Sequence, residues 1–221
     1  MSRVRAVAGG GRAVEVEPER LAGWFERFAA RHGGLSRTAG DGDRLVVHAV
    51  DGTRAEVDVP FPPLATPTVA CLVEHALLPR RIGLLLVRLG GHSVGIAVNG
   101  VVEVSTTGSR QVHGRSSAGG WSQRRFARRR EGQSRVALEA AASDAVRVLA
   151  PAVDSLDAVV LGGDRQALDV LRADRRLAAV FARAGERVLD VAEPRRAVLD
   201  EAAVRARAVE VVVRPPERHG L

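Results

Sequence analysis

The sequence predicts an α/β protein of two domains, and three observations predict it. A Pro-rich stretch, "PFPPLATPT" at 60–68, divides the chain. Three β-rich runs follow one another from Arg80, separated by Gly-Gly and Asn-Gly. Beyond them, helical and β-rich runs alternate to the end. Residues 1–12 read as a frayed leader, because "AGGG" has little reason to order. A helix begins at Glu19, with Leu21, Trp24, Phe25 and Phe28 on one face as core of the small domain, and "HGG" at 32–34 ends it. "RLVVHAV", Asp51-Gly52 and "TRAEVDVPF" form a hairpin: Asp-Gly favours the tight turn, and Ala55, Val57 and Val59 alternate. The Pro-rich stretch is then the linker closing a small N-terminal α/β domain, residues 1–79. The helical "VACLVEHALLP" at 69–79 is open to either side.

The second domain, residues 80–221, opens with a three-stranded meander: "RIGLLLVRLGG", "HSVGIAVNG" and "VVEVSTTGSRQV". A loop at 113–122 leads into a long helix whose Ala137, Ala141, Ala145 and Val148 share a face and which Ala150-Pro151 stops. Then come "LDAVVLGG" (strand), "DRQALDVLRADRRLAAVFARA" (helix), "RVLDVA" (strand), "EPRRAVLDEAAVRARA" (helix) and "VEVVVRPP" (strand). The order β-β-β-α-β-α-β-α-β implies crossover connections and a mixed, partly parallel sheet.

Charge narrows the function. All 33 basic residues are Arg, and the formal net charge is +7. Between Ser105 and Arg135 lie Arg110, Arg115, Arg124, Arg125, Arg128, Arg129, Arg130 and Arg135 against a single acid, Glu131, so this segment holds the whole excess. That is the footprint of a polyanion-binding site. Aromatics are scarce at 3%, which disfavours an extended base-stacking platform. The lone Cys71 forms no internal disulfide, a reducing cytoplasm is the expected location, and the longest apolar run, "IGLLLV", is far too short to span a bilayer. The N-terminal sequence has no apolar core of a signal peptide.

Within the charged segment, "GRSSAGGWSQRRFARRR" at 114–130 sets an uncharged tip before the arginine run. Gly119 and Gly120 allow positive φ and close backbone approach. Gln123 has donor and acceptor atoms but no useful pKa, so it suits positioning a water or an oxyanion better than general-base work. The arginines stand at a helix N-terminus, against the helix dipole, which argues for a phosphate partner. The competing reading is a solvated charged loop without chemistry.

The segment "HGRSSAGGWSQRRFARRRE", His113 to Glu131, resembles the catalytic loop and following helix of the central domain of eukaryotic and archaeal peptide-chain release factors, where a Gly-Gly-Gln tip precedes an Arg-Phe-Ala-Arg run. Arg125, Phe126, Ala127 and Arg128 match that run, and Gly119 and Gly120 fall at the family's spacing. Trp121 stands where release factors hold Gln, and Gln123 follows two residues later. The Gly120-to-Gln123 spacing is similar to the release-factor-like peptidyl-tRNA hydrolases of ribosome quality control, and the whole pattern over residues 80–221 resembles their actinobacterial branch. The resemblance implies hydrolysis of the ester joining a nascent peptide to tRNA, with Gln123, Gly119 and Gly120 at the reacting end. It implies large-subunit rRNA and peptidyl-tRNA as partners, held by Arg110, Arg115, Arg124, Arg125, Arg128, Arg129 and Arg130. No cofactor, metal, membrane or DNA is expected.

Other chemistries find less support. Gly132-Gln133 offers a second register, but it sits inside the predicted helix, where backbone N–H groups are already used. A sheet opening with a meander resembles ribonuclease H-like nucleases, yet "GLLLVRLGGHSVGIAV" lacks the carboxylate that a two-metal site needs. His32, His48, His75, His92, His113 and His219 show no metal-ligand spacing, and no G-x-S-x-G elbow is present. "LGGDRQAL" reads as a turn with Asp164 capping a helix. No helix-turn-helix or zinc pattern supports DNA binding. The alternative that remains is a non-enzymatic, arginine-rich ribosome- or RNA-binding module.

Overall fold

The computed structural model describes residues 4–88, 91–109 and 121–216, with the backbone alone at 109 and 121–131. In chain order its elements begin β1 (Val4–Ala6), β2 (Arg12–Val16), α1 (Pro18–Arg31), β3 (Leu35–Gly40), β4 (Arg44–Ala49), β5 (Arg54–Asp58) and α2 (Val69–Leu77). They continue with β6 (Arg81–Arg88), β7 (Gly91–Val98), β8 (Val101–Ser109), α3 (Trp121–Leu149), β9 (Ala158–Gly163), α4 (Arg165–Arg172), α5 (Ala178–Ala182), β10 (Ala184–Leu189), α6 (Arg196–Arg207) and β11 (Val209–Arg214). The chain divides into two units, Met1–Pro79 with Arg207–Leu221, and Arg80–Ala206.

The first unit is an antiparallel sheet in the order β1-β2-β11-β5-β4-β3. Its apolar face and the apolar stripes of α1 and α2 form one core, in which Leu21, Phe25, Phe28, Leu72, Val209 and Val211 are buried and Trp24 packs at the edge. The helix α1 ends as expected: Gly33 takes a φ of 77°, and the Gly34 N–H reaches back to the Ala29 carbonyl. Asp51-Gly52 turns the β4–β5 hairpin, with the Asp51 carboxylate accepting from the Thr53 N–H.

Four features here change or add to what the sequence predicts. Residues 4–16 are an ordered hairpin, not a frayed leader, because Gly9, Gly10 and Gly11 (φ 76°, 80° and 115°) make its turn. A Cβ at Gly11 would overlap the Val213 carbonyl oxygen, so the glycine also lets this turn close against β11. "LSRTAG" is strand β3, an exposed edge held by its backbone ladder to β4, which leaves no apolar pattern to read. The Pro-rich stretch is part of the unit, not a linker: Leu64 is buried in its core, and His75 of α2 hydrogen-bonds the Pro60 and Phe61 carbonyls.

The fourth change concerns β11, expected to complete the second domain. It lies between β2 and β5 of the first unit, so that unit takes back the chain from Arg207. The reason is physical: without β11, β1-β2 and β5-β4-β3 would each expose an unpaired edge, and Val209 and Val211 complete their shared apolar face. An alternating strand shows its faces in sequence but not which sheet it joins. The junction is fastened by Glu56 of β5, which accepts hydrogen bonds from Arg44 of β4, Arg54 of β5 and Arg214 of β11. Burial raises the Glu56 carboxyl, but these guanidiniums outweigh it and hold the group below its ordinary value.

The second unit keeps the predicted mixed α/β character. Its sheet runs β10-β9-β6-β7-β8, with β6, β9 and β10 parallel and the β6-β7-β8 meander antiparallel. Asn99 and Gly100, at φ 52° and 84°, form the turn between β7 and β8. The run Ile82–Val87 is buried throughout because helices cover both faces of the sheet. On one face α3, α4 and α5 pack against Leu85, Val87, Val94 and Ile96. On the other α6 comes so close that a Cβ at Gly95 would lie 2.9 Å from Leu199 Cδ2. The single helix expected over "DRQALDVLRADRRLAAVFARA" is broken into α4 and α5, because the Asp174 side chain accepts the Arg176 N–H and starts a new turn.

Replacing Val211 by Ala removes two buried methyl groups at the centre of the first sheet. The expected cost is about 2 kcal/mol, read as a lower urea midpoint with an unchanged slope.

Candidate functional site

The chemistry expected from the sequence converges on α3, a helix of 29 residues and so about 43 Å long. Among the residues whose side chains are described, it attaches to the sheet through its C-terminal part. Ala141, Ala142, Ala145, Val148 and Leu149 are buried against the meander, with Leu138 partly buried beside them. Alanines let the helix axis come near the sheet, and Gly83 of β6 clears the space beneath its end: a Cβ there would meet Leu156 Cδ1 at 2.9 Å and Leu149 Cδ2 at 3.2 Å. Pro151 lies in the 3-10 turn Ala150–Ser155 that follows. Further toward the N-terminus, a Cβ at Gly132 would meet nothing within 4 Å, and Val136 is 42% exposed. From Trp121 to Ala141 the arm is about 30 Å long.

A polar network fixes the base of this arm. His92 of β7 is 5% exposed, and its ring lies across Gly108 of β8, where a Cβ would overlap the imidazole. Its Nε2 is 2.8 Å from Asp144 Oδ2 on α3. Arg147 donates to Asp144 Oδ1 at 2.6 Å and to the Thr106 hydroxyl of β8 at 3.2 Å. Burial raises the Asp144 carboxyl, and the hydrogen bonds from His92 and Arg147 reverse this and hold it below the usual aspartate range. A second strut stands further out, where Arg176 joins Glu139 of α3 (2.8 Å) to Asp174 (2.6 Å).

The structure places Gln123 and Arg124, Arg125, Arg128, Arg129 and Arg130 on the first turns of α3. Gly119, Gly120, Arg110 and Arg115 lie outside the described residues, as does His113. Trp121, at the position where release factors hold their Gln, and Gln123 both lie in the N-terminal part of α3. The first four N–H groups of a helix have no intrahelical acceptor and form the positive end of its dipole. No acidic residue occupies that first turn to offset the arginines behind it. Gln133, the competing register, lies well inside α3, where its N–H is used by the helix.

Asp164 accepts the Gln166 N–H as the N-cap of α4, the turn role read from "LGGDRQAL". Among the described residues no group of three or more His, Cys, Asp and Glu is placed to hold a metal ion, and no helix is long and apolar enough to cross a membrane. The His92–Asp144–Arg147 network escaped the sequence reading. His92 and Asp144 are 52 residues apart, and only the β7–β8 register brings His92 over Gly108.

Comparison with known families matches residues 80–212 to the family described as Actinobacteria/chloroflexi VLRF1 release factor. No curated protein matches the chain.

Two outcomes follow from the anchor. Gly108→Ala displaces the His92 ring and is expected to cost about 1–3 kcal/mol, measured by denaturant unfolding. Because the folded-state pKa of Asp144 is depressed, its stabilisation is present above the ordinary aspartate value of about 3.9 and lost as pH falls through the lower folded value. Asp144→Asn should thus be less stable than wild type at neutral pH, and the gap should narrow in acid unfolding series below about pH 4.

Proposed function

Because the chain belongs to the Actinobacteria/chloroflexi VLRF1 release factor family, we propose that it is a peptidyl-tRNA hydrolase acting on stalled ribosomes or large subunits. The family gives it a ribosome-associated, release-factor-like role. The hydrolase reading goes further, and one observation carries it: Gln123 lies in the N-terminal part of α3 together with Arg124, Arg125, Arg128, Arg129 and Arg130, with Gly119-Gly120 shortly before it in sequence.

In this reading Arg110, Arg115, Arg124, Arg125, Arg128, Arg129 and Arg130 hold rRNA or the tRNA acceptor end, as bidentate donors to phosphate. Gly119 and Gly120 bring the backbone beside the terminal ribose. Gln123 orients a water through its side-chain amide, and its backbone N–H faces the carbonyl oxygen as charge develops there. The water oxygen bonds to the ester carbonyl carbon, the bond from that carbon to the ribose oxygen breaks, and a proton passes to the ribose oxygen. An amide cannot accept that proton at neutral pH. The proton path therefore runs through water or the RNA, and no acid/base pair is required of the protein.

The arginine series alone also fits a non-enzymatic RNA-binding module, and both readings give affinity that falls steeply with salt. Peptide release separates them. Gln123→Ala is expected to lower the rate of release from peptidyl-tRNA on large subunits by 10²-fold or more, with an unchanged circular dichroism spectrum and unchanged ribosome binding. Gln133→Ala should release at the wild-type rate. Full activity in Gln123→Ala overturns the mechanism, and absence of release by wild type leaves the binding module.

A further inference from the structure

The first unit contains a groove of about 220 Å³ between α1 and the edge formed by β1, β2 and β11. Arg12, Arg27 and Arg31 line it together with Trp24, Phe28 and His32. Val14 and Val213 contribute an apolar floor from the sheet. The helix register produces this arrangement. Trp24, Phe28 and His32 recur every four residues and form a ladder of rings, while Arg27 and Arg31 lie beside it. Trp24 and Phe28 are stacked 5.5 Å apart at 8°, and Phe28 and His32 are 4.7 Å apart. Phe28 is anchored in the core and His32 is fixed by Asp51 at 2.8 Å, so the indole is backed by a rigid wall.

The charges distinguish this groove from an ordinary crease. Elsewhere in the unit several arginines are ion-paired: Arg5 with Glu210, Arg20 with Glu17, Arg207 with Glu19, and Arg44, Arg54 and Arg214 with Glu56. Among the described residues no carboxylate forms an ion pair with Arg12, Arg27 or Arg31. Three like charges kept together beside an aromatic ring destabilise the free protein slightly and suit an anion with a planar group. Size limits the choice further. The volume is below the roughly 300–1,000 Å³ of pockets for drug-sized ligands, too small for a docked helix and sufficient for one base with its flanking phosphate.

We propose that this groove binds a nucleotide of a single-stranded RNA segment, the base against Trp24 and the adjoining phosphates against Arg12, Arg27 and Arg31. The site gives the first unit an RNA-binding surface of its own. The choice of an RNA strand rests on the ribosome-associated reading of the chain; the groove's chemistry, an aromatic ring with phosphate-binding arginines, does not. A stacked base contributes about 1–3 kcal/mol, and each neutralised phosphate makes the affinity more salt-dependent.

The test uses the full chain with Trp121→Phe, which leaves Trp24 as the sole indole. An unstructured RNA decamer is expected to quench Trp24 fluorescence saturably. Arg27→Gln with Arg31→Gln should weaken the decamer affinity read by that quench tenfold or more, and lower the slope of log affinity against log salt by about 1.4, or about 0.7 for each of two phosphates. Adding Gln123→Ala should leave the quench unchanged, so failure of the catalytic reading and failure of this one are distinct results. The proposal is overturned if the decamer binds without affecting Trp24 or if the two arginine substitutions leave the quench intact. It is also overturned if adenosine monophosphate quenches as effectively as the decamer, which would make the groove a free-nucleotide pocket.

Discussion

The attachment of α3 to the meander is the constraint on which the candidate site depends. A helix of 29 residues is held by its last third, through an alanine face, the cleared space over Gly83, and the His92–Asp144–Arg147 network over Gly108. Hydrogen bonds to charged groups contribute about 1.5–3 kcal/mol each, so the network matters to stability, but its greater consequence is angular. On a lever of about 30 Å, a tilt of about 2° at the base moves the first turn by about 1 Å, and an error of that size costs about 10²-fold where reacting groups must be aligned. A reactive end carried at the tip of an arm gains reach and requires a stiff root. The buried imidazole, fixed on both sides by a strand and a helix, supplies one.

Electrostatics point the same way. Arginines at a helix N-terminus oppose the dipole and repel one another, so α3 carries local charge that disfavours its own first turns. A polyanion reverses both effects, and RNA binding then stabilises the part of the helix that has least support from the sheet. In the first unit several arginines are ion-paired, and Glu56 joins three strands through three guanidiniums. There, charge serves the fold. The places where it is left unmatched are the informative ones.

Much of this architecture was legible in the sequence because its signals are local. Asp51-Gly52 and Asn99-Gly100 fix hairpin turns, Leu21, Phe25 and Phe28 fix the buried stripe of α1, and Ala141, Ala145 and Val148 fix that of α3. The contiguous stretch from Gly119 to Arg130 could be proposed as a site from sequence because its residue types and their spacing sit within one short run. What could not be read is non-local. "VEVVVR" shows that β11 has two faces but not that it pairs with β2 and β5. "AGGG" looks like loose chain until Gly11 is seen against the Val213 carbonyl. His92 carries no signature, because its partner is a carboxylate on a helix beyond the next strand. Trp24 reads as core by its spacing, and only the packed sheet shows it at the rim of a groove.

The choice of Gln at position 123 is itself informative. A carboxylate there would be stabilised by the helix dipole and by the arginines that follow, and would stay ionised at neutral pH. In the proposed reaction it would also repel the anionic RNA assigned to the arginines, and it would oppose negative charge developing on an ester carbonyl. A histidine would add a titrating cation to an already crowded positive end. A neutral amide avoids both penalties while keeping a donor and an acceptor on one rigid group. In the proposed reaction the protein therefore contributes position, and proton movement falls to water and RNA. Such a division is consistent with a site on a projecting helix rather than in a protein pocket, because the walls that exclude bulk water can then come from the RNA into which the helix enters.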